Sequence, residues 1–270
     1  MNTRVRALLL ASILVPSLAP AGERVERVLV PIASRFDPVP WAGNRYATAV
    51  ATAPAWLAME ERPEIVYGQV QTEGILDEDN LLCVRSRAFG FATESFAWAE
   101  ERTMRRYTLA VAKRVDRNAA IGIAYTWCAS DDDDLDAVDS WDIGLAWKPH
   151  PRIDLVANGR NLFRTEFGEF KLGRIYEAGA RAALLPNALF VFAEARRFAG
   201  DDFGDIIPVF GAEYEPFGFL TLRGRADTES TQGLNIELTY GSSSIGFHYL
   251  FRKGEEDGSL AYLKLHVPRR

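Results

Sequence analysis

After Ala21 the sequence contains no apolar run near the roughly 20 residues that a spanning helix needs, which excludes a helical membrane protein. Positive charge is also in deficit, with 31 Lys and Arg against 37 Asp and Glu for a net charge of −6. That balance argues against nucleic acid as a partner. Histidine is scarce: His150, His248 and His266 are the only three, and their spacing is not that of zinc ligands. There is no G-x-S-x-G nucleophile elbow, since Gly241-Ser242-Ser243-Ser244-Ile245-Gly246 has the wrong spacing and reads as a hairpin turn. No glycine-rich phosphate loop occurs either. These absences lead us to expect no metal, no cofactor and no enzymatic activity of the chain itself.

The first 21 residues read as a secretion signal. Arg4 and Arg6 form a basic start, Ala7 to Val15 an apolar core, and Ala19-Pro20-Ala21 a cleavage site of the A-x-A kind. Losing a segment with two basic and no acidic residues takes the net charge from −6 to −8. Roughly 250 residues remain, enough for one domain and short for two. Residues 22–63 look irregular because Pro31, Pro38, Pro40, Pro54 and Pro63 interrupt any long element. The alanine-rich piece Tyr46 to Met59 predicts a short helix broken near Pro54, and the segment is either a plug or a periplasmic linker.

From Glu64 onward the chain alternates. In Leu220 to Asp227, Leu220, Leu222 and Ala226 fall on one face and Thr221, Arg223, Arg225 and Asp227 on the other. In the next segment Leu234, Ile236, Leu238 and Tyr240 oppose Asn235, Glu237 and Thr239. Side chains alternate faces along a strand, so each segment has an apolar and a polar face. A sandwich would bury the first, whereas a membrane barrel turns it to lipid. The same reading gives strands near 64–70, 81–85, 89–99, 107–114, 119–128, 141–148, 153–162, 174–183, 189–196, 206–215, 219–227, 233–240, 244–252 and 259–267. From 107 onward short connections alternate with longer, more polar ones, as in outer-membrane barrels with short periplasmic turns and longer outside loops. Trp141 and Trp147 mark the two ends of one strand, and Tyr176, Tyr214, Tyr240 and Tyr249 lie near the ends of others on the apolar face, where interfacial girdles sit. The predicted fold is all-β: an antiparallel up-and-down transmembrane β-barrel of about 12–14 strands over 64–270, with an irregular, short-helical N-terminal segment. Cys83 and Cys128 fit an oxidising compartment. They lie on strands with two others between, about 14 Å apart at about 4.8 Å per strand, too far for a disulfide.

The polar faces carry Glu177 and Arg181, Glu194 and Arg196, Glu213 and Glu215, Arg223 and Arg225, and then Glu237. Neighbouring strands thus offer opposite charges at similar heights, worth roughly 0.2–1 kcal/mol per cross-strand pair. Glu194, Arg196, Glu213, Arg223, Arg225 and Glu237 are the candidate lumenal binding residues. The alternative is a salt-bridged filling that closes a narrow barrel.

The string Trp141-Asp142-Ile143-Gly144-Leu145-Ala146-Trp147-Lys148-Pro149, followed by Ile153-Asp154-Leu155 and Asn161-Leu162, resembles hairpins of PorV-like outer-membrane barrels, relatives of the long-chain fatty acid transporters. Phe210-Gly211-Ala212-Glu213-Tyr214 with Leu220 to Ala226 is similar to a later hairpin of theirs, and Thr52-Ala53-Pro54-Ala55-Trp56-Leu57 to a degenerate N-P-A-x-L without its Asn. Tyr107 to Trp147 also resembles a barrel-like region ahead of the protease domain in some large signal peptide peptidases; the serine and lysine of that protease have no counterpart here. The resemblance implies an outer-membrane barrel and assigns no functional residue by position.

Two charge clusters fall in expected outside loops. Asp131 to Asp134, with Asp136 and Asp139, read as a solvated loop lacking the order of a calcium site. Arg102, Arg105 and Arg106 are better placed to meet lipid phosphates, making outer-membrane lipid and lipopolysaccharide expected partners. The chain finishes Val267-Pro268-Arg269-Arg270 without the aromatic residue on which such barrels commonly end. That fits a barrel followed by another domain or working with a periplasmic protein partner. Three functions stay open: an outer-membrane channel or binder of a small amphipathic solute, a membrane anchor or scaffold for a periplasmic partner such as a signal peptide peptidase-like protease, and a soluble periplasmic β-protein.

Overall fold

The computed structural model describes residues 39–266 except 61, 73–74, 100–101, 131–138, 164–165, 168–169, 172, 186–187, 200–205, 229–230 and 253–257. Residues 1–21, read as a secretion signal, and most of the aspartate cluster lie outside the described residues. A four-residue helix α1 (Ala49–Thr52) runs through Ala53 into a 3₁₀ turn (Pro54–Met59) that starts on proline, where the missing N–H is not needed. The strands follow: β1 (Glu64–Thr72), β2 (Ile75–Ser86), β3 (Phe89–Ala99), β4 (Arg102–Arg114), β5 (Ala119–Ser130), β6 (Asp139–His150), β7 (Ile153–Arg160), β8 (Glu166–Phe167), β9 (Phe170–Lys171), β10 (Ile175–Leu185), β11 (Leu189–Phe198), β12 (Ile207–Phe217), β13 (Leu220–Asp227), β14 (Thr231–Tyr240), β15 (Ser243–Arg252) and β16 (Gly258–His266).

All but β8 and β9 join one antiparallel sheet in chain order, and β1 pairs with β16 from Glu64↔His266 to Thr72↔Gly258, so the sheet closes on itself. The result is a 14-stranded transmembrane β-barrel. Closure leaves no strand edge, the condition for crossing a bilayer with strands. The alternation resolves as a membrane barrel requires: on β14, Leu234, Ile236 and Leu238 are 57%, 55% and 54% exposed, while Asn235 and Glu237 are buried. The apolar faces do not pack on each other, so the soluble reading fails. Trp141, Trp147, Tyr176, Tyr214 and Tyr240 all point outward and are exposed. Cys83 and Cys128 are buried and form no disulfide.

Two expectations need correcting. Arg102, Arg105 and Arg106 belong to strand β4 rather than a loop, and Arg106 faces the interior, where Nη1 lies 3.0 Å from Oε2 of Glu94 on β3. Dense polarity was a misleading loop signal because this barrel hides charge inside. The link 163–173 holds the small hairpin β8–β9, with Phe167 paired to Phe170.

The interior is occupied. Residues of 39–59 touch side chains from strands around the wall, and Ala42, Asn44, Ala47, Ala49, Val50, Ala53, Ala55, Trp56 and Leu57 have no exposed surface. Residues 39–59, the plug, therefore lie within the lumen.

Candidate functional site

The lumen wall is built from the inward positions of each strand, and over β6 to β16 many of these are charged. Lys148 Nζ lies 2.7 Å from Asp154 Oδ1, and Asp154 Oδ2 lies 3.3 Å from Arg181 Nη1. Arg181 also pairs with Glu213, whose other oxygen accepts from Arg223 Nε at 2.6 Å. Arg223 Nη1 reaches Glu237 Oε2 at 2.8 Å, and Lys264 Nζ meets that same oxygen at 2.8 Å. Seven residues of alternating sign thus run around the wall across β6, β7, β10, β12, β13, β14 and β16. A second group lies beside it: Glu177 accepts from Arg160 Nε at 2.6 Å and from Arg196 Nη2 at 2.8 Å, and Asp142 is 3.6 Å from Arg160. Buried carboxylates survive as ions only when paired and hydrogen-bonded in this way.

The wall grips the plug mainly by its backbone. Glu194 accepts from the Trp41 N–H, and Glu64 from the Ala47 N–H at 2.6 Å. Arg160 donates to the carbonyls of Ala51 and Thr52 at 2.7 and 2.6 Å, joined on Thr52 by Asn158 at 3.0 Å. Arg114 donates to the carbonyls of Ala58 and Met59, and Arg85 to those of Arg45 and Arg62. These bonds satisfy main-chain groups that a short, irregular segment cannot pair within itself. Side chains add to the hold. The Tyr46 hydroxyl accepts from Arg223 Nη2 at 2.8 Å, and its ring lies 3.4 Å from Lys264 Nζ. Burial pushes the Tyr46 phenol well above its ordinary pKa despite the opposing pull of Arg223, so it stays neutral. Arg196 stacks over Trp41 at 5.0 Å.

Over β1 to β6 the wall is different. Val66, Val70, Leu81, Cys83, Ala92, Ala110, Ala112, Ala120, Ala124 and Ala146 face inward and form one buried apolar cluster with Val50, Ala55, Trp56 and Leu57 of the plug. Small side chains let the backbones approach. At Gly122 a β-carbon would lie 2.4 Å from the Ala55 nitrogen and the Pro54 carbonyl carbon, so only glycine leaves room. Gly43, at φ +80°, turns the plug beside Asp154 and Arg181.

The six predicted lumenal residues all face inward, and five carry the contacts just described. Glu213, Arg223 and Glu237 belong to the seven-residue run, Arg196 to the second group, and Glu194 holds Trp41; Arg225 is half-buried on the same face of β13. His248 is buried inside, and His266 Nδ1 lies 2.9 Å from Glu64 Oε2 across the β1–β16 seam. No group of three or more metal-ligating side chains is gathered among the described residues. Sequence reasoning missed Glu64, Arg85, Arg114, Asp154, Asn158 and Arg160 as plug or network residues. Extending the alternation already read on β7 would have placed Asp154, Asn158 and Arg160 on the inner face.

No family model matches the sequence, and no curated protein matches it. Solved structures do resemble the fold. The P. putida toluene transporter TodX aligns at 11% identity over 83% of this chain and 94% of that one, with a TM-score of 0.57. The Ralstonia pickettii toluene transporter TbuX aligns at 13% identity over 87% and 96%, with a TM-score of 0.55. A Pseudomonas aeruginosa FadL homologue aligns at 9% identity over 84% and 96%, also at 0.55. At these identities the likeness is one of fold: a closed antiparallel β-barrel.

Proposed function

We propose that this protein is a non-enzymatic outer-membrane barrel that binds or passes a small amphipathic solute and that residues 39–59 close its lumen at rest. The observation that carries this reading is the plug itself. It is gripped by charge-assisted and amide hydrogen bonds, of which those of Glu194, Glu64, Asn158 and Arg160 are made to its main chain. Such contacts can be exchanged for water one at a time as the segment moves. The fold likeness to two toluene transporters supports a solute with apolar character, and the outer-membrane setting rests on the same likeness together with the apolar outer belt.

The test is flux in liposomes. Wild-type protein should pass small ions poorly, and deletion of 39–59 should raise conductance by at least tenfold while the barrel still shows a heat-dependent gel shift. Equal conductance of the two proteins would sink the reading of the segment as a closure. An unshifted, freely soluble wild-type protein would sink the membrane setting as well.

A further inference from the structure

The short-turn end of the barrel is chemically lopsided. The turns after β2, β4 and β6 carry Arg87, Arg117 and Arg152, all exposed, and Lys113 is exposed on the outward face of β4 just before its turn. Asp116 is the only acidic residue in these three turns. The turns after β12 and β14 carry no cation. They present Phe217 and Phe219, stacked at 5.4 Å and 59% and 56% exposed, and Tyr240, 92% exposed. Excess positive charge on one sector of an acidic chain is not a compositional accident of the whole sequence.

None of the four cations has a side-chain hydrogen bond or ion pair among the described residues, unlike Arg114, which is committed to the plug carbonyls. Their height is set by what precedes them. Val111 and Trp147 point outward and are 56% and 53% exposed, and Phe89, which follows Arg87, is 47% exposed. These side chains belong in hydrocarbon or at its boundary. A strand rises about 3.3 Å per residue, so cations two to six residues away stand within roughly 7–20 Å of that boundary along the chain, within reach of lipid phosphates. Consecutive turns are two strands apart, about 10 Å along the rim.

We propose that this sector, Arg87, Lys113, Arg117 and Arg152, binds anionic phospholipid headgroups of the leaflet at the short-turn end, and that the aromatic sector anchors the opposite side without regard to headgroup charge. Guanidinium groups match phosphate oxygens in charge and geometry. The turns are too short to carry the cations far beyond the bilayer surface, which favours lipid over an acidic protein as the occupant. The inference rests on the membrane setting proposed above.

The experiment uses the full chain in nanodiscs of phosphatidylcholine and phosphatidylglycerol in equal amounts, released into a native mass spectrometer so that retained lipids are counted. Wild-type protein should retain phosphatidylglycerol several-fold over phosphatidylcholine. The quadruple variant R87Q/K113Q/R117Q/R152Q should lose that preference, while F217A/F219A keeps it. Single variants, R117Q first, guard against a quadruple variant that does not fold. Wild-type protein that inserts, shows its gel shift and yet retains both lipids equally overturns the inference alone. So does a preference that survives in the quadruple variant, or one replaced by selective binding of a polyglutamate peptide with no lipid preference. Wild-type protein that fails to insert overturns the inference and the membrane setting together.

Discussion

The two sides of the lumen hold the same plug by different physics. Along β1 to β6 the wall that meets Ala55, Trp56 and Leu57 is small and apolar and lies against them in van der Waals contact, while Glu64, Arg85 and Arg114 bond the plug's main chain around that patch. From β6 round to β16 it is ionic, and the plug is tied by hydrogen bonds to Glu194, Asn158, Arg160 and Arg223. An apolar surface is tolerant of sliding but not of added volume, since interiors are close-packed. An ionic surface tolerates added volume better than lost charge, because each remaining partner would be left buried and uncompensated. The two sides should therefore fail under opposite kinds of substitution.

The largest effect should come from the ionic side. Arg223 holds Glu213, Glu237, Asn235 and the Tyr46 hydroxyl, so Arg223→Leu takes one of two cations from each of two buried carboxylates, leaving Glu213 to Arg181 and Glu237 to Lys264. We expect a loss of about 3–5 kcal/mol, read as a lower temperature for the gel shift. The double change Arg223→Leu with Glu213→Gln should recover part of it; no recovery would mean that the arginine acts by packing rather than charge. On the apolar side, Gly122→Leu pushes a side chain into the Pro54–Ala55 backbone. Overpacking typically costs about 1–3 kcal/mol. Here the plug is the part free to yield, so the expected readout is raised ion conductance with the barrel intact. A closed, fully stable Gly122→Leu barrel would erase the contrast between the sides.

Much of the wall was legible before the structure. A period of two with charges on one face fixes which residues turn inward, and Glu194, Glu213, Arg223 and Glu237 follow from it directly. Partner choice was not legible. Arg181 and Glu213 sit on β10 and β12 with β11 between them, as do Glu237 and Lys264 on β14 and β16 with β15 between. Curvature brings inward side chains of alternate strands together across an intervening position, and long arginine and lysine side chains span it; strand-to-strand alternation alone does not encode this. Nor could the sequence choose between plug and linker. The wall holds it largely through backbone N–H and C=O groups, which every residue has, so the loss of the Asn from the N-P-A-x-L pattern leaves these contacts untouched. The misplacement of Arg102 to Arg106 has the same origin as the successes: charge inside a lumen looks like charge on a loop until Glu94 is seen opposite Arg106.

Smaller substitutions can test the boundary between the sides. Tyr46→Phe removes one buried hydroxyl that accepts from Arg223 while keeping the ring against Lys264. A loss of about 1 kcal/mol is expected, smaller than for Arg223→Leu because Arg223 keeps its carboxylates. Arg114→Ala should do least to the barrel. Its guanidinium is partly solvated, and it bonds the Ala58 and Met59 carbonyls at 2.8 and 3.1 Å, where water can replace it at a cost of about 1 kcal/mol or less. Its effect should instead be local. These carbonyls close the end of the 3₁₀ turn on the apolar side. Hydrogen exchange should therefore quicken at 54–59 and not at 41–47, which Glu194 and Glu64 hold independently. Faster exchange along the whole of 39–59 would show that the plug opens as one body, and the two sides of the lumen would then be two halves of a single latch.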